Sequence, residues 1–427
     1  MKKLHILIAA LLAALTLLPF SATPAEAHSK PVPSAHTFSL NAKVLDGGQQ
    51  IVSLTIRTGR LGIKASSLST STFSVKATGT NPYTSLDPAT VFGTFKDVQR
   101  TVTGVHLDRQ GNIVIDLAYG FTTPGAFTFA WANSEQRNIM LDLTYSITQN
   151  QPVKLWGGKD YTFSALKQGR VMDPEVDAFG SGRAAGMVYR IYKPKKAAEG
   201  KRPLIIWLHG GGEGGWSQAY NNDLPLIANR GALGFITPKA QRIFGGAYVL
   251  APQANDYWLN DAAQGYSARL KKLIDKVVRN NPRIDRNRIY VTGASNGGYM
   301  APKLVVDNPK FFAAEVPIAP ALLWEKTPKV FQRMISDAQL ASIKTPTWVV
   351  QSKDDLVLPF PANGQHMAAT IPGSLLTAYD NVTWDGVTYN GHWSWIYVAR
   401  NDPKTDSGLH IWQWMAKQHL ASHHHHR

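Results

Sequence analysis

The stretch "RIYVTGASNGGYM", from Arg288 to Met300, decides how this chain is read. Ile289, Tyr290 and Val291 are strand formers, Gly293 stops the run, and the residues from Gly297 towards Val306 suit a helix. Between strand and helix sits one serine among small residues, and Gly293-Ala294-Ser295-Asn296-Gly297 fits the pattern G-x-S-x-G. In a chain with 35 glycines the pattern alone arises easily by chance. Placed here, it has a mechanical meaning. A sharp turn strains the serine backbone and lifts its hydroxyl above the sheet edge. Glycines two residues to either side let strand and helix approach closer than a Cβ permits.

A serine hydroxyl is a weak nucleophile, so chemistry at Ser295 requires a base, an acid to orient it, and amide donors for an oxyanion. On such a turn the acid and then the histidine follow in sequence. The strand "TPTWVVQS" runs into "KDDLVLP", setting Asp354 and Asp355 at a strand's carboxyl end, where such sheets carry ligand groups. Asp355, four residues before Pro359, is the expected acid; Asp354 is the alternative, otherwise capping the turn or solvated. "YNGHWSW" presents His392 in a loop before the last helix. A lone histidine is more often a packed or surface residue, but one that follows serine and acid in this order is the expected base. His366, in the helical stretch "PANGQHMAAT", and His410, in the terminal helix, are expected to be structural or surface residues.

The fourth element is "LHGGGEGG", after the apolar strand "PLIIWLH". His209-Gly210-Gly211-Gly212 leaves backbone N–H groups unobstructed, and one of them can join the Asn296 N–H in an oxyanion site. Gly210, Gly212 and Gly215 also match G-x-G-x-x-G. A dinucleotide site, however, wants a carboxylate at the end of the next strand, and "GGAYVLAPQ" has none. No Lys-Ser or Lys-Thr follows to make a phosphate loop.

Outward from these motifs the texture divides in two. From Thr37 to about Pro152 the chain is strand and turn. "QQIVSLTIR" and "NIMLDLTYSIT" alternate apolar and polar residues, with "TFSVKAT", "VTGVHL", "NIVIDLAY" and "AFTFAWA" between them. Several short alternating strands in about this length mean an immunoglobulin-like β-sandwich, assigned to residues 28–152. From residue 153 to 422 buried strands without alternation each lead into a helical pattern, which predicts an α/β domain with a doubly wound, mostly parallel sheet. Leu270, Leu273, Ile274, Val277 and Val278 line one helix face, and a further helix is expected around "FQRMISDAQLASI".

Of the 427 residues 44% are hydrophobic and 17% charged, an ordinary globular composition for about two domains. Lys2 and Lys3, an apolar run from Leu4 to Leu18, and Ala25-Glu26-Ala27 read as a secretory signal over residues 1–27, cleaved after Ala27. That run is too short for a membrane span, and no later segment supplies one. With no cysteine, disulfides, thiol catalysis and cysteine metal sites are excluded. The net charge of +16 favours anionic surroundings such as cell-wall polymers or acidic polysaccharide. Nucleic acid is not expected, because the basic residues are scattered and no reading module accompanies them. The His-rich tail, residues 423–427, is set aside from fold and site.

"RIDRNRIYVTGASNGGYM", "PLIIWLHGGGEGG", "KDDLVLP" and "GHWSW" together resemble secreted α/β-hydrolase esterases whose catalytic domain follows an immunoglobulin-like domain, near the prolyl-oligopeptidase-like and polyhydroxybutyrate-depolymerase-like hydrolases. The resemblance implies Ser295 as nucleophile, His392 as base and Asp355 as orienting acid. It implies Asn296 and Gly211 as oxyanion donors, with Gly212 able to replace Gly211, and neither metal nor cofactor. The implied reaction is carboxylic-ester hydrolysis through an acyl-enzyme. Peptide hydrolysis by the same residues, polyester or feruloyl-polysaccharide cleavage, and a non-catalytic binding protein on this scaffold are the alternatives. Trp216 and Trp393 are the expected substrate contacts, with Tyr220, Trp258 and Trp395 as further candidates for an aromatic-walled cleft; the plainer reading is that several of the 12 tryptophans are core.

Overall fold

A computed structural model describes residues 36–194, 200–216, 220 and 222–420. The expected signal segment and the His-rich tail lie outside the described residues.

Alternation builds the N-terminal sandwich. Along the strand His36–Leu45, Phe38, Leu40, Ala42 and Val44 are buried while the residues between them are not. A register slip beside Ala42 fits this strand to its antiparallel partner, Gly48–Ile56. These two lie within a five-stranded sheet that runs Leu166–Met172, His36–Leu45, Gly48–Ile56, Ile113–Leu117, Val102–Leu107. Its apolar face meets Phe73, Val75 and Ala77 of a second, three-stranded sheet in one core. Each fully buried Leu, Ile or Phe there contributes about 1.5–3 kcal/mol. Arg100 threads this core and donates to the carbonyls of Ile51, Ala118 and Gly125 and to the Tyr145 hydroxyl, tying the sheets together.

Three expectations need correction. "NIMLDLTYSIT" is not one strand: Arg137–Met140 pairs with Phe129–Ala132, whereas Asp142–Gln149 pairs with Phe73–Thr80. The chain changes sheets at Leu141, so a continuous alternation hides a corner. The all-β region also continues past Pro152. Leu166–Met172 pairs in parallel with His36–Leu45, and Asp173 then caps the short helix Pro174–Asp177. Finally, the helix expected around Phe331 is a hairpin of Leu323–Thr327 with Val330–Arg333. A helix begins only at Asp337, where Ser336 and Gln339 form a capping box.

The second domain is an eight-stranded sheet in the order Phe179–Ala184, Met187–Tyr192, Tyr248–Gln253, Arg202–Leu208, Ile284–Ala294, Ala314–Ile318, Trp348–Ser352, Leu375–Tyr379. The first two strands are antiparallel to their neighbours and the rest are parallel. Both faces are covered, which is why these strands are apolar throughout. Leu204, Ile206 and Leu208 pack against the helices Tyr266–Asn280 and Asn296–Asp307 on one side. Ile205 and Trp207 pack against Pro238–Phe244 and Ile411–Lys417 on the other.

The two domains are joined by buried and partly buried polar contacts. Arg400 forms a two-pronged ion pair with Asp46 at 2.9 and 2.8 Å, and Arg230 donates to the Val44 carbonyl while pairing with Glu175.

Candidate active site

The strand Ile284–Ala294 delivers Ser295 at its carboxyl end, and the helix Asn296–Asp307 starts directly after it. Ser295 has φ 57° and ψ −111°, a conformation L-residues rarely adopt. From Thr292 to Met300 it alone is not buried. The flanking glycines show why the turn needs them. A Cβ on Gly293 would lie 2.5 Å from the Gly297 carbonyl oxygen, and one on Gly297 would lie 2.0 Å from that of Leu208. The serine backbone is pinned by Ser295 N–H to Ile318 O at 2.9 Å and by Ala321 N–H to Ser295 O at 3.1 Å. Its hydroxyl makes no hydrogen bond among the described residues.

Asp355 and His392 come together from different strand ends. Asp355 Oδ2 is 2.8 Å from His392 Nδ1 and accepts from Gln351 Nε2 at 2.9 Å. Oδ1 accepts the Val357 and Leu358 N–H groups, each at 2.9 Å. Burial pushes this carboxyl up, but the hydrogen bond and charge of His392, with the Leu358 and Gln351 donors, outweigh it and hold Asp355 below its ordinary value. An ionised Asp355 draws the imidazole proton to Nδ1 and leaves Nε2 as an acceptor. Asp354 is exposed, accepts from Ser352, and presses against Gly391, where a Cβ would lie 2.3 Å from Asp354 Oδ1. Of the two aspartates, Asp355 faces the histidine. His366 instead bonds Asp337 and His410 the Asn401 carbonyl, away from this cluster.

The glycine loop after Arg202–Leu208 runs beside Ser295. His209 is buried and its Nε2 accepts the Ala254 N–H, so Nδ1–H donates to Gly210 O at 2.6 Å. Burial pushes this imidazole down to about 3, and it stays neutral. A Cβ on Gly211 would meet Asn296 Nδ2 at 2.9 Å and the Tyr257 ring at 3.2 Å; one on Gly212 would meet Asn138 and Trp131 of the sandwich. Gly211 therefore faces Asn296, and Gly212 faces the other domain. As the first residue of its helix, Asn296 has an amide without an intrahelical partner.

Of the expected substrate contacts, Trp393 lies in an aromatic group with Tyr389 and Trp395, and Trp395 meets the His392 ring edge-on. Phe121 from the sandwich completes this group at 5.8 Å from Trp393. Trp216 packs instead on Tyr83 and the small sandwich core of Leu86, Val91 and Ile139, so it fills the domain interface. Trp258 is fully buried and bonds His209 O, and the Tyr220 hydroxyl is held by Val188 N–H and Gln253 O.

Sequence reasoning missed Glu213, Arg137, Asn138, Tyr257 and Phe121. Only Glu213 carried a signal, as a lone carboxylate in "GGGEGG". Burial pushes it up to about 7, against the Gly210 and Glu213 amides and Asn138, which hold it down. No group of three His, Asp or Glu able to hold a metal forms among the described residues. No helix there is long and apolar enough to cross a membrane.

Residues 39–162 match the family described as Esterase Ig-like N-terminal domain, and residues 270–338 match the Prolyl oligopeptidase family. A solved structure titled as a thermostable esterase superposes with a TM-score of 0.72 at 23% identity, covering 90% of this chain and 99% of that one; it shares the fold. An uncharacterized peptidase, YuxL of Bacillus subtilis (strain 168), is 27% identical over 172 residues, which span 40% of this chain and a quarter of that relative (25%). The chain thus carries a match to an esterase-type immunoglobulin-like domain ahead of a domain with the α/β-hydrolase fold, part of which matches the prolyl oligopeptidase family.

Proposed function

We propose that this chain is a secreted carboxylic-ester hydrolase that works through an acyl-enzyme on Ser295. His392 Nε2 takes the hydroxyl proton as Ser295 Oγ attacks the ester carbonyl carbon. The Gly211 and Asn296 amides stabilise the oxyanion, and Asp355 holds the imidazole in its tautomer and supports the imidazolium. Collapse breaks the bond to the alcohol oxygen, which leaves with the proton from His392. Water, deprotonated by the same nitrogen, then releases the acid and returns Ser295. The single observation that carries the reading is the strained, accessible Ser295 at a strand–helix turn, in a domain where a buried carboxylate lies 2.8 Å from His392 Nδ1. None of these steps requires a metal, so turnover is expected to survive a chelator.

The aromatic group of Phe121, Tyr389, Trp393 and Trp395 suits aryl, feruloyl or polyester acyl groups. Secretion rests on the N-terminal sequence alone. Arg279, Arg286, Lys310 and Lys344 line a groove at the amino ends of the parallel strands, away from Ser295, and suit an anionic polymer. Peptide hydrolysis is the second reading, favoured by the prolyl oligopeptidase match, which includes Ser295 but neither Asp355 nor His392.

A fluorophosphonate probe, p-nitrophenyl esters of increasing chain length and peptide anilides test both readings on the unmodified protein and on Ser295→Ala. Expected are labelling at Ser295 and ester turnover, with a loss on the order of 10⁴-fold or more in the variant. Equal turnover by the variant removes Ser295 from the reaction. Faster turnover of anilides than of esters moves the substrate class to peptides.

A further inference from the structure

The hairpin formed by Phe129–Ala132 and Arg137–Met140 belongs to the sandwich, yet its end reaches the glycine loop beside Ser295. Three consecutive glycines have no conformation of their own, while an amide that stabilises an oxyanion must be fixed before the charge arrives. Something outside the loop has to fix it.

The catalytic domain supplies half of the hold, through Gln253 Nε2 to Glu213 O at 2.8 Å and Gly215 N–H to Ala254 O at 2.7 Å. The sandwich supplies the rest. Asn138 Nδ2 donates to Glu213 Oε1 at 3.0 Å, and Arg137 Nε donates to Gly214 O at 3.1 Å. The Arg137 guanidinium also lies 3.5 Å over the Tyr257 ring, the ring that walls Gly211, and the Tyr257 hydroxyl donates to Glu135 O at 3.3 Å. Glu213 is buried, and its Oε2 lies against Gly210, 3.1 Å from where a Cβ on that glycine would stand. The next residue, Gly211, lies against the Asn296 side chain, which a Cβ there would meet at 2.9 Å. A carboxyl in such a place needs a fixed partner, and Asn138 is the side-chain donor it has.

We propose that Asn138 of the immunoglobulin-like domain is a positioning residue for the Gly210–Gly214 loop, acting through the carboxyl of Glu213, so that both domains hold the oxyanion amide. This rests on the serine-hydrolase reading above. Losing the donor outright costs 10²–10³-fold in other enzymes, and displacing a reacting group by about 1 Å costs up to about 10². Asn138→Ala is therefore expected to lower kcat by roughly 10- to 100-fold with KM nearly unchanged. Affinity for a trifluoromethyl ketone, whose hydrate-like adduct on serine carries the oxyanion, should fall by about the same factor.

The full chain is used throughout, with melting temperature and circular dichroism recorded for each variant. Glu213→Gln, which keeps an oxygen facing Asn138, should retain most activity, and Glu213→Ala should not. The Asn138→Ala/Glu213→Ala double variant should be no worse than Glu213→Ala, because both changes cut one connection. Unchanged kcat and ketone affinity in Asn138→Ala overturns the inference, as does a double variant whose losses multiply. Fluorophosphonate labelling separates the two ideas. If the unmodified protein is not labelled, the hydrolase reading fails and takes this one with it. A labelled, active protein indifferent to Asn138→Ala sinks this one alone.

Discussion

Asp355 Oδ2 lies 2.8 Å from His392 Nδ1, while Asp354, one residue away, turns its carboxyl to Ser352. Both lie just past the strand Trp348–Ser352, where the turn buries Asp355 against the histidine and leaves Asp354 exposed. Asp355→Asn should leave His392 in the wrong tautomer and lower kcat by about 10⁴-fold, whereas Asp354→Asn should stay within about 3-fold. Kinetics of the two variants on one aryl ester decide the matter; the reverse order of damage would exchange their roles.

The strained turn has a thermodynamic signature. Ser295 at φ 57° and ψ −111° stores on the order of 1–3 kcal/mol, which glycine does not pay. Ser295→Ala keeps that strain and Ser295→Gly relieves it, against about 0.5–1 kcal/mol of added unfolded-state entropy. Both variants should be inactive, with Ser295→Gly melting at the higher temperature. Equal or reversed melting points would mean that the surroundings have relaxed the turn.

Stability should fall as the solution becomes alkaline. Glu315 is fully buried on a central strand, accepts from Thr347 alone among the described residues, and is pushed up by burial from 4.5 to about 8. Between those values the folded state binds a proton that the unfolded state has lost, so unfolding free energy declines with rising pH and levels off near 8. The decline is at most a few kcal/mol. Glu315→Gln should flatten it; the Glu213 slope, which ends near 7, is offset below about 6.5 by His209, which binds its proton only in the unfolded state. Asp355 acts oppositely: held below its ordinary value, it loses its contribution as pH falls, at the acid end. Denaturant titrations between pH 5 and 9 measure the slope; no change in Glu315→Gln would mean that Glu315 is ionised and solvated.

A chain shortened to begin at Asp173 removes the whole sandwich, including the strand Leu166–Met172. It also removes Asp46 from Arg400, Val44 from Arg230 and Phe121 from Trp393. Uncovering Trp216 and that interface should lower solubility, and kcat/KM should fall with an altered preference among acyl chain lengths. A soluble, folded truncation with the full-length profile would show that the sandwich takes no part in substrate handling.

What could be read in the sequence was local or periodic. The turn at Ser295 was legible because strand, glycines and helix stand in one short run, and the sheet was legible because burial on both faces leaves apolar strands. Asp355 and His392 were reached through the order of elements along the chain. Trp216 misled, since an aromatic beside a site loop has the same composition whether it lines a cleft or fills an interface. Arg137, Asn138 and Phe121 were invisible because their role depends on how one domain is docked on the other, and no pattern within either domain encodes that.

The parallel pairing of His36–Leu45 with Leu166–Met172 bears on how the protein is made. Parallel neighbours cannot be joined by a tight turn, and here almost the entire first domain intervenes between them. During synthesis the edge of His36–Leu45 stays open, a row of unsatisfied amides and carbonyls, until Leu166 has left the ribosome. The strand that closes this edge leads directly into the helix capped by Asp173, whose carboxyl also takes Gln49 Nε2 at 2.8 Å. Completion of the first domain and the start of the second are thus one event in the nascent chain, and a chain arrested before Leu166 would carry a sticky, unfinished sheet.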